Sequence, residues 1–504
     1  FGYHWDENKI LKSVANSIES ATLLPGWYNY PSLSYGIALA AVAPEAVSAM
    51  AEARSVIATD ADKNLKKGRL EALSGELAGV AFADYYKIRV RTIFLVLSML
   101  SIIWVYVFLY IWRRRWWEAL VAAIFLGTSW EVGYHARWIA PDAILMQFTA
   151  LSLVTLFSAL RSRRRRLFWL CASAVVAGLA CGTKYTGALL LVPVLVVSAT
   201  TVREDDFEAK RAPVFVWPVL LFAATFLLTT PGALVQPFRF LYDILGEMRH
   251  YQTGHGEHSI APGFVHAYRM GEYLSLAAFS RYWPGAVLVL VLAIAGGWAV
   301  VRYHRRMAVV LLLVPVVYFV YMSAQRVMVV RNLMVLLPFL AILAARGLAL
   351  IVERVPGRTA QIAVGAVVLV LTAANGAWLF TAAESIAERG EIDHRRNIAR
   401  YLLDKPDQQF YLSFGAYDAI HSSMDDYPNV TLDRGQADRI MILTSDLGKW
   451  YGNRWGVYDM VSGSFEVNLE YYPSWKGDAK VFAVSPRAAD KMWFEPPSPD
   501  EAVE

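Results

Sequence analysis

Residues 91–115 read RTIFLVLSMLSIIWVYVFLYIWRRR, a run from Thr92 to Trp112 without a charge, closed by three arginines. Wound as a helix at about 1.5 Å per residue, that run is about 30 Å long, the thickness of a bilayer's hydrocarbon core. The pattern recurs along the chain. Apolar blocks follow at 117–134, 142–160, 167–183, 186–200, 213–231, 284–301, 307–323, 333–350 and 360–381, which with 91–112 makes ten candidate spans. Pro141, Gly182, Pro231 and Pro284 stand at or near their ends, where helix breakers belong. Of 504 residues, 56% are hydrophobic and 18% charged, whereas a soluble globule has about 45–50% and about a quarter. The chain reads as a mainly α, polytopic membrane protein.

The arginines orient it. Alternate short loops hold Arg113 to Arg115, then Arg161 with Arg163 to Arg166, then Arg203, Lys210 and Arg211, then Arg302, Arg305 and Arg306, and finally Arg346, Arg354 and Arg358. The short loops on the other side hold only Arg137, Lys184, Arg326 and Arg331. Excess arginine and lysine marks the cytoplasmic side, so residues 1–90, the loop 232–283 and the tail are expected outside the cytoplasm. An eleventh span is expected before Phe1 if the N-terminus is cytoplasmic. The net charge of +5 comes mostly from these loops and is no sign of nucleic-acid binding. Cys171 and Cys181 lie ten residues apart in one apolar block, about 15 Å along a helix and too far for a disulfide.

Three regions result: a first loop at 1–90, a membrane domain at 91–383 and a soluble domain at 384–504. Within the first loop, Ile10, Val14 and Ile18 repeat at helical spacing between Asp6 and Ser20, an amphipathic helix suited to the membrane surface. Pro31 to Val47 is apolar but interrupted by Pro44 and Glu45, giving a second interfacial helix too short to span. The tail has short apolar runs at 409–413, 439–444 and 480–484 between Asp, Gly and Pro, the pattern of a small α/β domain. Its Trp450, Trp455, Trp475 and Trp493 fit core positions better than a sugar-stacking surface.

Polar clusters gather at the outer ends of the spans. Asp6 and Glu7 open the amphipathic helix, where a carboxylate serves equally as a helix cap or as a proton acceptor. His135, Arg137 and Asp142 bracket the start of the span at 142–160, as an ion pair, a cap or the lining of a polar cavity. Lys184 and Tyr185 fill a short connection; a lysine there can also simply snorkel to the interface. Arg331-Asn332 opens a later span against the positive-inside bias, and phosphate is the natural anionic partner. His255-Gly256-Glu257-His258 has histidines but not the spacing of an established metal site. No phosphate-binding glycine loop, nucleophile elbow or nucleotide fingerprint appears, which argues against a nucleotide-sugar donor.

The order of these clusters carries more than any one of them. Asp6-Glu7 is followed by Tyr30-Pro31, by Ala136-Arg137-x4-Asp142, by Gly178-Leu179-x3-Thr183-Lys184-Tyr185, and by Thr230-Pro231-x-Ala233-Leu234. Gly254-His255-Gly256 and Arg331-Asn332-x5-Pro338-Phe339-Leu340-Ala341 complete the series. Over residues 1–350 this resembles the protein mannosyltransferase and lipid A aminoarabinose transferase family, which implies the C-type glycosyltransferase (GT-C) fold. The resemblance places Asp6 at the reaction centre with Glu7 beside it. It puts Asp142 and Arg137 near the sugar or the acceptor, and Lys184 and Arg331 at the phosphate of a polyprenyl carrier. His135, Tyr185 and His255 fall within the same motifs and count with the substrate-binding residues. Two departures point to a bacterial or archaeal relative in the plasma membrane: Arg-Asn stands where the family usually has Arg-Tyr, and 232–283 holds no inserted sugar-binding domain.

The implied reaction moves a sugar from a polyprenyl phosphate to an extracytoplasmic protein, lipid or glycan, with inversion and without a covalent enzyme intermediate. No cofactor is required, although a divalent cation fits the chemistry, and membrane lipids are the other expected partners. Two alternatives stay open. A flippase or transporter of lipid-linked sugar would explain many spans but not the long first loop or the soluble tail. A noncatalytic subunit keeping the same fold would be expected to lose the first-loop carboxylate.

Overall fold

The computed structural model describes residues 5–59, 62–204, 211–254, 259–276, 278–280, 283–389, 400–412, 427–431, 433–443, 467–472 and 479–484. All ten apolar blocks are helical. Seven are long and apolar enough to cross a membrane: α5 (Asp84–Arg113), α8 (Pro141–Arg161), α9 (Arg166–Thr183), α15 (Trp283–Tyr303), α16 (Arg305–Ser323), α17 (Leu337–Arg354) with the 3-10 turn Val330–Leu336 before it, and α18 (Arg358–Arg389). The other three are shorter apolar helices: α6 (Trp116–Gly127), α10 (Leu191–Glu204) with the 3-10 turn Tyr185–Leu190, and α11 (Arg211–Thr229). The block at 117–134 is not continuous. Thr128 interrupts it, and Ser129 caps the separate turn α7 (Trp130–His135) by accepting from the Val132 N–H. The protein is thus an integral membrane protein of mainly α architecture.

Local chemistry sets the helix ends. Pro141 and Pro338 occupy first-turn positions, where a missing N–H costs nothing. Arg114 ends α5 in the left-handed conformation at φ 57°. Packing is organised around α17, whose residues from Leu337 to Leu350 are buried except for the half-buried Leu340, whereas α18 turns Ile362, Val367, Leu369 and Val370 outward. A second apolar cluster joins Ile10, Leu11 and Val14 of α1 (Trp5–Glu19) to Tyr35, Ala38, Tyr86, Val90 and Phe94. It fastens the first segment to the start of α5.

The segment expected as one helix at 31–47 is two: α2 (Leu33–Ala40) and α3 (Ala43–Thr59), bent by 56°. Side chains of α5 hold the bend. Tyr86 donates to the Ala38 carbonyl at 2.6 Å, and Arg89 donates to the Ala41 carbonyl at 2.9 Å while gripping Glu45 at 2.8 Å. Carbonyls freed by the break therefore keep donors. A further helix, α4 (Lys63–Gly79), follows, capped by Asp62, which accepts from the Asn64 and Leu65 N–H groups.

Between the spans at 213–231 and 284–301 lie α12 (Gly232–Val235), α13 (Pro237–Thr253) and α14 (Phe264–Leu276). The tail carries a four-stranded sheet in the order β1-β2-β4-β3: β1 (Phe410–Leu412), β2 (Arg439–Leu443), β3 (Val467–Tyr472) and β4 (Ala479–Val484). β1 and β2 are parallel; β4 is antiparallel to both β2 and β3. Three strands coincide with the three apolar runs. β3 does not, although Val467, Leu469 and Tyr471 alternate with Asn468 and Glu470; its register slips between Asn468 and Glu470. The four tail tryptophans lie outside the described residues.

Candidate active site

Four segments far apart in sequence bring their charges to one place. Asp6 sits in the first turn of α1 and is 2% exposed. Asp142 follows Pro141 in the first turn of α8, also buried; a carboxylate at a helix N-terminus has the backbone dipole in its favour. Lys184 leaves α9 in extended conformation. The chain folds back sharply past it, because Gly187 lies on the Ala180 carbonyl, where a Cβ would stand 2.4 Å from the oxygen. Arg331 and Asn332 come from the 3-10 turn leading into α17.

The charges alternate. Asp6 Oδ2 is 3.0 Å from Arg331 Nη2, and Arg331 Nε is 3.3 Å from Asp142 Oδ2. Asp142 Oδ1 accepts from Lys184 Nζ at 2.7 Å, and Lys184 Nζ also donates to Asn332 Oδ1 at 2.5 Å. Hydroxyls flank both ends of this chain. Tyr30 donates to Asp6 Oδ1 at 3.2 Å; Asn332 Nδ2 donates to the Tyr251 hydroxyl at 3.2 Å, and Tyr318 donates to the Asn332 carbonyl at 2.6 Å. Two anions and two cations leave the cluster formally neutral, the condition under which buried charges are tolerable.

Burial is the strongest influence on the Lys184 ammonium and depresses it, but the Asp142 carboxylate and Tyr251 together outweigh it and hold the lysine above its usual range. Burial and the Asp6 carboxylate push the Tyr30 phenol far up, so it stays protonated as a donor. Tyr30 is positioned by its neighbours: the Tyr28 N–H donates to Asp243 at 2.9 Å, Asn29 donates to Glu247 at 2.9 Å, and Tyr185 donates to the Tyr28 carbonyl at 2.6 Å. Tyr185 thus ties the Lys184 connection to the first segment.

Glu7, His135 and Arg137 build a patch beside the alternating chain. Glu7 takes a fork from Arg91, with Nη2 at 2.9 Å and Nε at 3.1 Å, and accepts from the Ile139 backbone. Arg91 and Arg137 both lie over the Trp138 ring, at 4.7 and 4.4 Å. His135 Nε2 is 2.7 Å from the buried Glu131 carboxylate. His255, with Glu257 and His258, lies outside the described residues. Among the described residues no three of His, Cys, Asp and Glu come together as a metal site.

Sequence reading missed Asn332 as the partner of Lys184, and with it Tyr251, Tyr30 and Arg91. The signals were present: Tyr30 stands in the Tyr-Pro pair, and Asn332 is the very departure from the Arg-Tyr pattern. Arg91 is a cation at the end of a span away from the arginine-rich loops.

Residues 66–241 match the sequence model of the dolichyl-phosphate-mannose-protein mannosyltransferase family. No curated protein matches the sequence. Among solved structures, ArnT from Cupriavidus metallidurans bound to undecaprenyl phosphate is similar at 13% identity and a TM-score of 0.45, over 95% of this chain and 93% of that one. The apo state of ArnT from the same organism gives 13% and 0.44, over 96% and 94%. The family-model match at residues 66–241 overlaps the motif resemblance read from the sequence and contains Arg137, Asp142 and Lys184.

Proposed function

We propose that this protein is a membrane glycosyltransferase that moves a sugar from a polyprenyl-phosphate carrier to an acceptor outside the cytoplasm, at the cluster of Asp6, Arg331, Asp142 and Lys184. The observation that carries the reading is the convergence of two cations and two carboxylates from four separate segments. A structural ion pair needs only two partners. A site for a phosphate leaving group beside a general base needs both signs at contact distance.

The carrier phosphate takes up Lys184 and Arg331, exchanging carboxylate partners for phosphate oxygens. Arg331 offers a planar fork to two oxygens, while Lys184 acts as a point charge. Once Arg331 turns to the phosphate, Asp6 is released to accept the proton of an acceptor hydroxyl or amine. The acceptor atom bonds to the anomeric carbon as the carbon–oxygen bond to phosphate breaks on the opposite face. The electron pair leaves on the phosphate oxygen, where Lys184 and Arg331 stabilise it. Configuration inverts. Asp142 keeps the two cations at their spacing, and Tyr30 fixes the orientation of Asp6. The patch of Glu7, His135 and Arg137 is assigned to the sugar or the acceptor. With two protein cations facing the phosphate, this scheme requires no metal.

The orientation belongs to the same proposal. The arginine-rich loops face the cytoplasm of a prokaryotic cell, and residues 1–90 and 384–504 lie outside it. The test is Asp6→Asn, which keeps the size of the side chain and its place in the first helical turn. Carrier binding should persist while transfer falls by about a hundredfold or more, the usual scale for a lost general base. Retained transfer would leave Asp6 as a cap of α1.

A further inference from the structure

α15 and α17 run in the same direction and cross with their backbones in contact. A Cβ on Gly296 would lie 1.8 Å from the Leu343 oxygen, and one on Gly347 would lie 1.9 Å from the Leu292 oxygen. Glycines permit this approach. Beyond the crossing, towards the arginine-rich end, the two helices line a groove of about 570 Å³. Ile294, Ala295, Leu350 and Ile351 form its apolar part, with Trp298 and Arg354 at its mouth. Arg354 lies 5.5 Å over the Trp298 ring and 3.5 Å from the Tyr303 hydroxyl.

Among the described residues no carboxylate pairs with Arg354. The nearest in sequence, Glu353, is already held by Arg113, Arg115 and Arg346. Arg302, Arg305, Arg306 and Arg358 stand at the same helix ends. An apolar slot with a cation at its rim matches one chemistry, an anionic headgroup above acyl chains, and basic pockets between membrane helices on the cytoplasmic side commonly take such lipids. The site cluster is at the other end of α17: Arg331 and Arg354 are on the order of 30 Å apart along the helix.

We infer that this groove binds one anionic diacyl phospholipid, with its phosphate at Arg354 and an acyl chain along Ile294, Ala295 and Ile351. The occupant is a membrane phospholipid and not the sugar carrier.

To test this, the purified full chain is reconstituted in vesicles of phosphatidylcholine and phosphatidylglycerol in equal parts. It is then extracted in mild detergent, and the lipids it retains are counted by native mass spectrometry. Phosphatidylglycerol should be retained in preference to phosphatidylcholine. Arg354→Gln should lower that retention about fivefold, the contribution of one arginine at a charged lipid surface. Ala295→Phe, which fills the groove and leaves Arg354 in place, should lower it as well. Equal retention of the two lipids overturns the inference, as does phosphatidylglycerol retention that survives either variant. Displacement of phosphatidylglycerol by added undecaprenyl phosphate also overturns it, because the groove would then belong to the carrier.

Discussion

The two ends of the helix bundle each bury a network of charges, and they are built differently. At the arginine-rich end, Glu118 is fully buried between Arg113 and Arg346, each at 3.6 Å, while Arg346 also reaches Glu353 at 3.5 Å. Every member of that network sits on a regular helical turn or beside one: Arg113 in the last turn of α5, Glu118 in the first turn of α6, and Arg346 and Glu353 two turns apart on α17. At the other end, the charges stand where regular structure begins, stops or tightens. They occupy first turns, a helix end and a 3-10 turn. Charges on regular turns are held by the helices that carry them, and they clamp those helices together. Charges at helix breaks come with backbone that can shift, and their partners can be exchanged for a ligand.

The largest effect that separates the two ends is on stability. Glu118→Ala would remove the fully buried carboxylate shared by Arg113 and Arg346 and leave them only the half-exposed Glu353, a loss of up to about 3–5 kcal/mol in folding. Thermal unfolding in detergent should show it, while transfer per folded molecule stays close to that of the parent chain. A fall in transfer without a fall in stability would mean that the arginine-rich network belongs to the reaction.

At the site end the expectation is reversed. Lys184→Met should weaken binding of undecaprenyl phosphate roughly ten- to a hundredfold, because a hydrogen bond to a charged group contributes about 1.5–3 kcal/mol. Arg331→Lys should weaken it less, about tenfold, since charge survives and only the fork is lost. Titration by native mass spectrometry measures both. Binding that is unchanged in Lys184→Met would remove the lysine from the phosphate position.

The spans were legible because a hydropathy pattern reads length, and length is what a bilayer requires. Asp6, Asp142, Lys184 and Arg331 were legible as a set through the order of their motifs, which no periodicity supplies. What stayed hidden depends on which turns face one another. Glu118 drew no notice inside an apolar block, and the arginines around it counted only as a topology signal. Asn332 looked like a departure from a pattern until the fold put its amide on Lys184. The run from Pro31 to Val47 reads as one helix, and the break at Ala41–Val42 stays hidden in it because the cause lies on α5, in Tyr86 and Arg89.

The smallest expected effect concerns two glutamates held by neighbouring arginines of α5. Arg89 grips Glu45 and Arg91 grips Glu7, both at hydrogen-bond distance, yet the carboxyls move in opposite directions. The Arg89 hydrogen bond holds Glu45 below the ordinary value of 4.5, since its side chain keeps contact with water. Burial outweighs Arg91 and raises Glu7 above that value. By linkage, the lowered group stabilises the fold above its unfolded value, and that stability is lost as pH falls through the folded value. The raised group does the reverse: its contribution is present below the unfolded value and lost as pH rises through the folded one. The difference in melting temperature between the parent chain and Glu45→Gln should therefore shrink as pH drops below about 4.5. The difference between the parent and Glu7→Gln should move against the parent as pH rises above it. Parallel slopes for the two variants would mean that Glu7 is as well solvated as Glu45, and that the patch beside Asp6 is open to water.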